Sequence, residues 1–200
     1  MSQRSCDELP IDELSVDELA AEAVEVLRAK AVREFDEPIQ LASGAMSRHF
    51  VDGKAGLAAA ADLRLACAAI AALCARAGIG FDAAGGLTLG ADHLGVGVAM
   101  VTDRSWFFVR KEPKDRGTGR QIEGAEIGPG VRVLVVEDVV STGGSLLRAI
   151  DIVQAAGAEV VAAATLMNRG DVANAELDRR GIPFVVLSTY ADFGMDPVQG

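Results

Sequence analysis

The chain has 200 residues, half of them hydrophobic, with 19 Lys plus Arg against 29 Asp plus Glu and a formal net charge of -10. That length suits a single α/β domain, residues 1–200, with ample apolar material for a core. The acidic balance excludes broad binding to nucleic acid or anionic membranes, which takes a basic face, but leaves room for a small local anion site.

The first stretch, MSQRSCDELPIDELS, is polar and acidic and unlike a signal peptide. Ser15 and Glu18 then have capping-box spacing ahead of VDELAAEAVEVLRAKAVREF, where Val16, Leu19, Ala23, Val26 and Leu27 form a helical stripe. A helix running to Phe35 is predicted. Pro38 follows, and IQLASGAMSRHFVDGK reads as two short extended pieces around Ser43-Gly44. Residues 56–77 are alanine-rich and predicted helical, with Gly78 as the stop. Cys67 and Cys74 share one predicted buried face of that helix as small hydrophobes. With Cys6 they are too few and scattered for a disulfide framework, and no Cys/His spacing points to zinc. The longest uncharged apolar run, Leu65 to Ala75, falls well short of the ~20 residues that span a bilayer. A cytoplasmic protein is predicted.

GFDAAGGLTLGADHLGVGVAM reads as a short strand, a glycine turn at Gly85-Gly86 and Gly90, and a short helix. Its GVG at 95–97 lacks the third glycine of a dinucleotide fingerprint. WFFVRK (106–111) reads as a strand, and residues 112–121 as a mobile polar loop. VRVLVVE (131–137) is a continuous apolar run, as in a strand buried on both faces. The next helix is predicted to bury Leu146, Leu147, Ile150 and Val153 and to stop near Gly157. A strand (159–168), a helix (171–180) and a last strand (182–189) complete the chain. This alternation implies a parallel sheet with right-handed crossovers.

In such sheets ligands bind beyond the carboxyl ends of strands. There the sequence places VLVVEDVVSTGGSLL (133–147): an apolar strand, the acid pair Glu137-Asp138, then the small-residue turn Ser141-Thr142-Gly143-Gly144-Ser145 opening a helix. Backbone N–H groups at a helix N-terminus bind phosphate. There is no GK[ST], so this is not a Walker loop. Two carboxylates repel further phosphate but accept well from sugar hydroxyls. A ribose 5-phosphate fits both halves.

VLVVEDVVSTGGS resembles the phosphoribosyl-pyrophosphate (PRPP) motif of type I phosphoribosyltransferases. FVRKEPKDRGTGRQIEG (108–124) resembles the catalytic loop of the orotate phosphoribosyltransferases, and it concentrates Arg110, Lys111, Lys114, Arg116 and Arg120 on one loop of an acidic protein. SGAMS (43–47), GGLTLGAD (85–92) and NRG (168–170) extend the resemblance, which covers most of the chain from residue 39 to about 170.

The resemblance implies an α/β fold with a central parallel sheet flanked by helices, a small N-terminal hood at about 15–55 before a core at about 56–190, and a flexible catalytic loop. It implies Mg²⁺-dependent transfer of phosphoribosyl from PRPP to orotate, with the metal held mainly by PRPP and no protein metal site, in a homodimer sharing the loop across its interface. Arg110, Lys111, Lys114, Arg116, Glu137, Asp138, Val139, Val140 and Ser141 to Ser145 would bind PRPP. Lys114 and Asp115 would act in catalysis, and Ser141 and Arg169 would contact orotate. Some members have lysines where this chain has Ala42 and Gly90, often a proline where it has His93, and commonly histidine where it has Arg116. Alternative readings are a phosphoribosyltransferase for another nucleobase and a non-catalytic PRPP sensor.

Overall fold

The computed structural model describes residues 11–41, 44–113 and 120–198. Helix α1 (Val16–Lys30) starts on the anticipated capping box, with the Ser15 N–H donating to Glu18 Oε2 at 2.8 Å and the Glu18 N–H to Ser15 Oγ at 3.3 Å. It ends at Lys30, short of Phe35, because the apolar stripe lapses after Leu27. Val32 onward instead forms β1 (Val32–Gln40), paired antiparallel with β2 (Met46–Val51). Val32 lies opposite Val51 and Arg33 opposite Phe50, a pairing that offers β-branched and aromatic neighbours which a solvated helical turn would not. The two-stranded ribbon flanks Gly44 (φ +89°) as the sequence indicates.

A four-residue turn of helix, α2 (Gly53–Gly56), leads into α3 (Ala60–Arg76). Lys30 at the end of α1 pairs with the buried Asp62 of α3 at 2.5 Å. Cys67 and Cys74 do share the buried face of α3, where burial pushes their thiols up to about 12 and about 11.

Among the described residues the main sheet has six strands: β3 (Ala83–Leu87), β4 (Ser105–Val109), β5 (Ile122–Gly124), β6 (Arg132–Val140), β7 (Glu159–Asn168) and β8 (Phe184–Thr189), in spatial order β5-β4-β3-β6-β7-β8. All neighbours are parallel except β4 and β5. Helices α1, α3 and α4 (Asp92–Thr102) cover one face around Leu27, Ile70 and Leu94. Helices α5 (Gly144–Ala155) and α6 (Val172–Arg179) cover the other around Leu146, Ile150 and Leu177. Leu147, expected in that core, is only half-buried. Each fully buried side chain of this kind contributes about 1.5–3 kcal/mol. Among the described residues no helix is long and apolar enough to cross a membrane.

Gly85 and Gly86 correct the sequence reading: they lie inside β3, not in a turn. A Cβ on Gly85 would sit 2.0 Å from the Phe107 carbonyl oxygen, and one on Gly86 2.1 Å from that of Val136. The glycines are there because neighbouring backbone leaves no room for a side chain. The GVG of α4 has a packing role too. A Cβ on Gly95 would come 3.0 Å from Gly85 Cα, and one on Gly97 2.4 Å from Cys67 Sγ.

Candidate active site

β3 and β6 are neighbours at the centre of the sheet, yet the chain leaves β3 toward β4 and leaves β6 toward β7. The helices that follow therefore lie on opposite faces, opening a crevice at the strand ends. A cleft of about 640 Å³ lies there, lined by the acid pair, the whole of Ser141 to Ser145, Lys54, Lys111, Arg148 and Arg169.

One wall is the phosphate-type turn. Gly143 takes a left-handed conformation (φ +86°) and packs against α6, where a Cβ would meet Ala173 Cβ at 2.7 Å. Among the described residues no side chain caps α5, so the N–H groups of its first turn are left for a ligand. The second wall is the acid pair, and here the structure corrects its setting. β6 does not stop at Glu137 but continues through both acids to Val140, with Glu137 opposite Thr165 and Val140 opposite Asn168 of β7. Glu137 is 5% exposed. Its Oε1 accepts the Asp138 N–H at 3.1 Å, and Asp138 Oδ1 accepts the Val139 N–H at 2.8 Å. Burial, and then the neighbouring Asp138 charge, push the Glu137 carboxyl up to about 8.

A match to the phosphoribosyl transferase domain family spans residues 84–192. The orotate phosphoribosyltransferase of Pyrococcus furiosus is 41% identical over 141 residues, covering 70% of this chain and 77% of that protein. That of Corynebacterium glutamicum is 35% identical over 178 residues, covering 88% and 94%. The solved Mycobacterium tuberculosis orotate phosphoribosyltransferase in complex with PRPP superposes with a TM-score of 0.68 at 29% identity, covering 88% of this chain and 92% of that one. The chain belongs to the orotate phosphoribosyltransferase family. It is accordingly a pentosyltransferase, and the type I phosphoribosyltransferase architecture expected from the sequence is the one present.

Within this family frame, Glu137, Asp138, Val139, Val140, Ser141 to Ser145, Lys111 and Arg169 are brought together. Arg110 is not among the residues lining the cleft; its guanidinium lies 4.0 Å from Glu123 on β5. Lys114, Asp115 and Arg116 lie outside the described residues, as do Ala42 and Ser43. Arg169 is 2% exposed. Its Nη1 donates to the His49 carbonyl at 3.1 Å and its Nη2 donates to Ser47 Oγ at 3.1 Å, so it ties β2 to the end of β7. Its buried Nε has no partner among the described residues, and burial lowers the guanidinium's pKa. An anion reaching that nitrogen would relieve both conditions.

Sequence reasoning missed Lys54. Its Nζ lies 3.2 Å from Asp138 Oδ2 and 3.7 Å from Asp52 Oδ1. Burial works against its charge, but the two carboxylates outweigh that and raise its pKa. Gly53 makes the approach possible, since a Cβ there would lie 3.1 Å from Asp138 Cβ. The VDGK sequence carried no signal of this, because the contact depends on α2 packing over β6.

Two departures from the orotate phosphoribosyltransferase pattern acquire physical accounts. A Cβ on Gly90 would lie 2.4 Å from Glu137 Oε1 and 2.8 Å from Asp138 Oδ1, so in this chain any side chain there would press on the acid pair. His93 is half-buried, its Nε2 has no partner among the described residues, and burial lowers its pKa against the pull of Asp138.

Proposed function

We propose that this chain transfers the 5-phosphoribosyl group of PRPP to orotate, giving orotidine 5′-monophosphate and pyrophosphate in the de novo route to UMP. The observation that carries the reading is the acid pair and the uncapped turn of α5 facing one cleft at the switch between β3 and β6. The N–H groups and hydroxyls of Ser141 to Ser145 hold the 5-phosphate. Glu137 and Asp138 accept from the ribose hydroxyls and favour positive charge as it develops on the sugar. Lys54 holds the Asp138 carboxylate in place. Arg169 receives the orotate carboxylate, with the Ser141 hydroxyl as a further contact.

Departure of pyrophosphate builds negative charge, which Lys111, Arg110, Lys114 and Arg116 stabilise, with Asp115 handling a proton. Mg²⁺ fits this cleft as the ion of the substrate. A hard cation keeps phosphate oxygens and water as ligands, and the Asp138 carboxylate, which lines the cleft, would accept from that water shell. Bound there, it would offset charge on the pyrophosphate. The family resemblance supports a homodimer with the catalytic loop of 108–124 shared across the interface, in the cytoplasm.

The test is to incubate the protein with Mg²⁺, PRPP and each nucleobase in turn and to assay for nucleotide. Orotate should give product. Product with another base only would overturn the specificity. PRPP binding without turnover of any base would make the chain a sensor.

A further inference from the structure

Arg148 stands one turn into α5, the helix whose N-terminus forms the phosphate turn, and it lines the same cleft as Lys111. Its Nη2 donates to the Lys111 carbonyl and to Glu112 Oε1, the latter at 2.9 Å. From the other side, the Gln121 side-chain amide donates to the carbonyls of Arg110 at 3.0 Å and Lys111 at 3.3 Å, and the Arg110 N–H donates to the Gln121 carbonyl at 2.8 Å. The Lys111 carbonyl therefore accepts from two side chains, one of them rooted in α5. The ion pair with Glu112 is exposed at both ends and by itself worth little. The carbonyl contact is the one that orients the backbone.

We propose, on the functional reading given above, that Arg148 is a positioning residue. It ties the Lys111 backbone to the first turns of α5, so that the Lys111 ammonium and the phosphate turn meet the two phosphate-bearing ends of one substrate at a fixed spacing. A guanidinium suits this because its planar fork spreads several donors over a carbonyl and a carboxylate, whereas an ammonium is a point charge.

A double-mutant cycle read by calorimetric PRPP binding and by kcat/KM tests it, using the full chain and the variants Arg148→Ala, Lys111→Ala and both together. Arg148→Ala should lower kcat/KM for PRPP on the order of tenfold to a hundredfold, the scale of a misplaced group, with its melting temperature held. Because Arg148 acts through Lys111, the double variant should be no worse than Lys111→Ala alone. Arg148→Lys should not restore the loss. Should Arg148→Ala fail to fold, Arg148→Met keeps the aliphatic stem but removes every donor to the Lys111 carbonyl, and its loss should again be absent in the Lys111→Ala background. Costs that multiply in the double variant would mean that Arg148 meets the substrate itself, and would overturn the proposal. So would a fall in melting temperature with PRPP binding unchanged. Wild-type protein that binds no PRPP would instead overturn the functional reading on which the proposal rests.

Discussion

Replacing Glu137 by Gln should stabilise the unliganded protein while impairing it. Glu137 lies inside β6 at 5% exposure, and its pKa is pushed from 4.5 up to about 8 by burial and by the Asp138 charge. A folded-state pKa above the unfolded one favours the fold at pH below about 4.5, and that contribution is lost as pH rises through about 8. The gap corresponds to roughly 4–5 kcal/mol for an isolated group. The opposing Lys54 charge is already included in that value, so roughly 4–5 kcal/mol is the most that an uncharged side chain can recover near pH 9. Glutamine keeps an Oε1 to accept the Asp138 N–H. For a chain of this length that bound corresponds to a rise in Tm of up to about 8–20 °C at pH 9, and the gain should shrink toward zero at pH 5. Thermal melts of both proteins from pH 5 to 9, without PRPP or Mg²⁺, measure it. A difference that stays flat with pH, or a variant less stable than wild type at pH 9, would refute the reasoning.

Gly85→Ala places a Cβ 2.0 Å from the Phe107 carbonyl oxygen and should cost at least about 3 kcal/mol, read as a low Tm or insoluble protein. Arg169→Lys keeps the charge but loses the fork, and should raise the KM for orotate on the order of tenfold while leaving PRPP affinity unchanged, as steady-state kinetics will show. Lys54→Ala removes the cation 3.2 Å from Asp138. Because Lys54 is half-exposed, stability should change by less than about 1 kcal/mol, while the KM for PRPP rises.

The segment 133–147 was legible because strand, acid pair, turn and helix follow one another in sequence, each with its own local signature. Even so, the acids looked terminal where the strand in fact runs through them. Its last residues, Val139 and Val140, are held by pairing with β7, and no local pattern reports a partner strand. Gly85-Gly86 was misread for a related reason. Glycine signals either a turn or a close approach, and which one applies depends on strands far away in the chain. The helix after Ser15 was right at its capped end and too long at the other, where ribbon pairing outweighed propensity. β5 escaped notice because a strand of three residues carries no period. Lys54 and Arg148 share the limit of all single-chain reasoning: their partners lie 84 and about 37 positions away.

The central claim is that the buried acid pair meets the ribose of PRPP, and proton exchange on binding tests it most directly. Burial and the neighbouring Asp138 charge raise the Glu137 pKa, so the acid pair keeps a proton to higher pH than a free carboxylate does and gives it up when ribose hydroxyls donate to it. Calorimetric titration of PRPP at pH 7, in buffers of differing ionisation enthalpy, should show protons released by wild type and fewer released by Glu137→Gln, the difference separating Glu137 from the phosphates of the ligand. Equal release by the two proteins, with PRPP bound to both, would contradict the account.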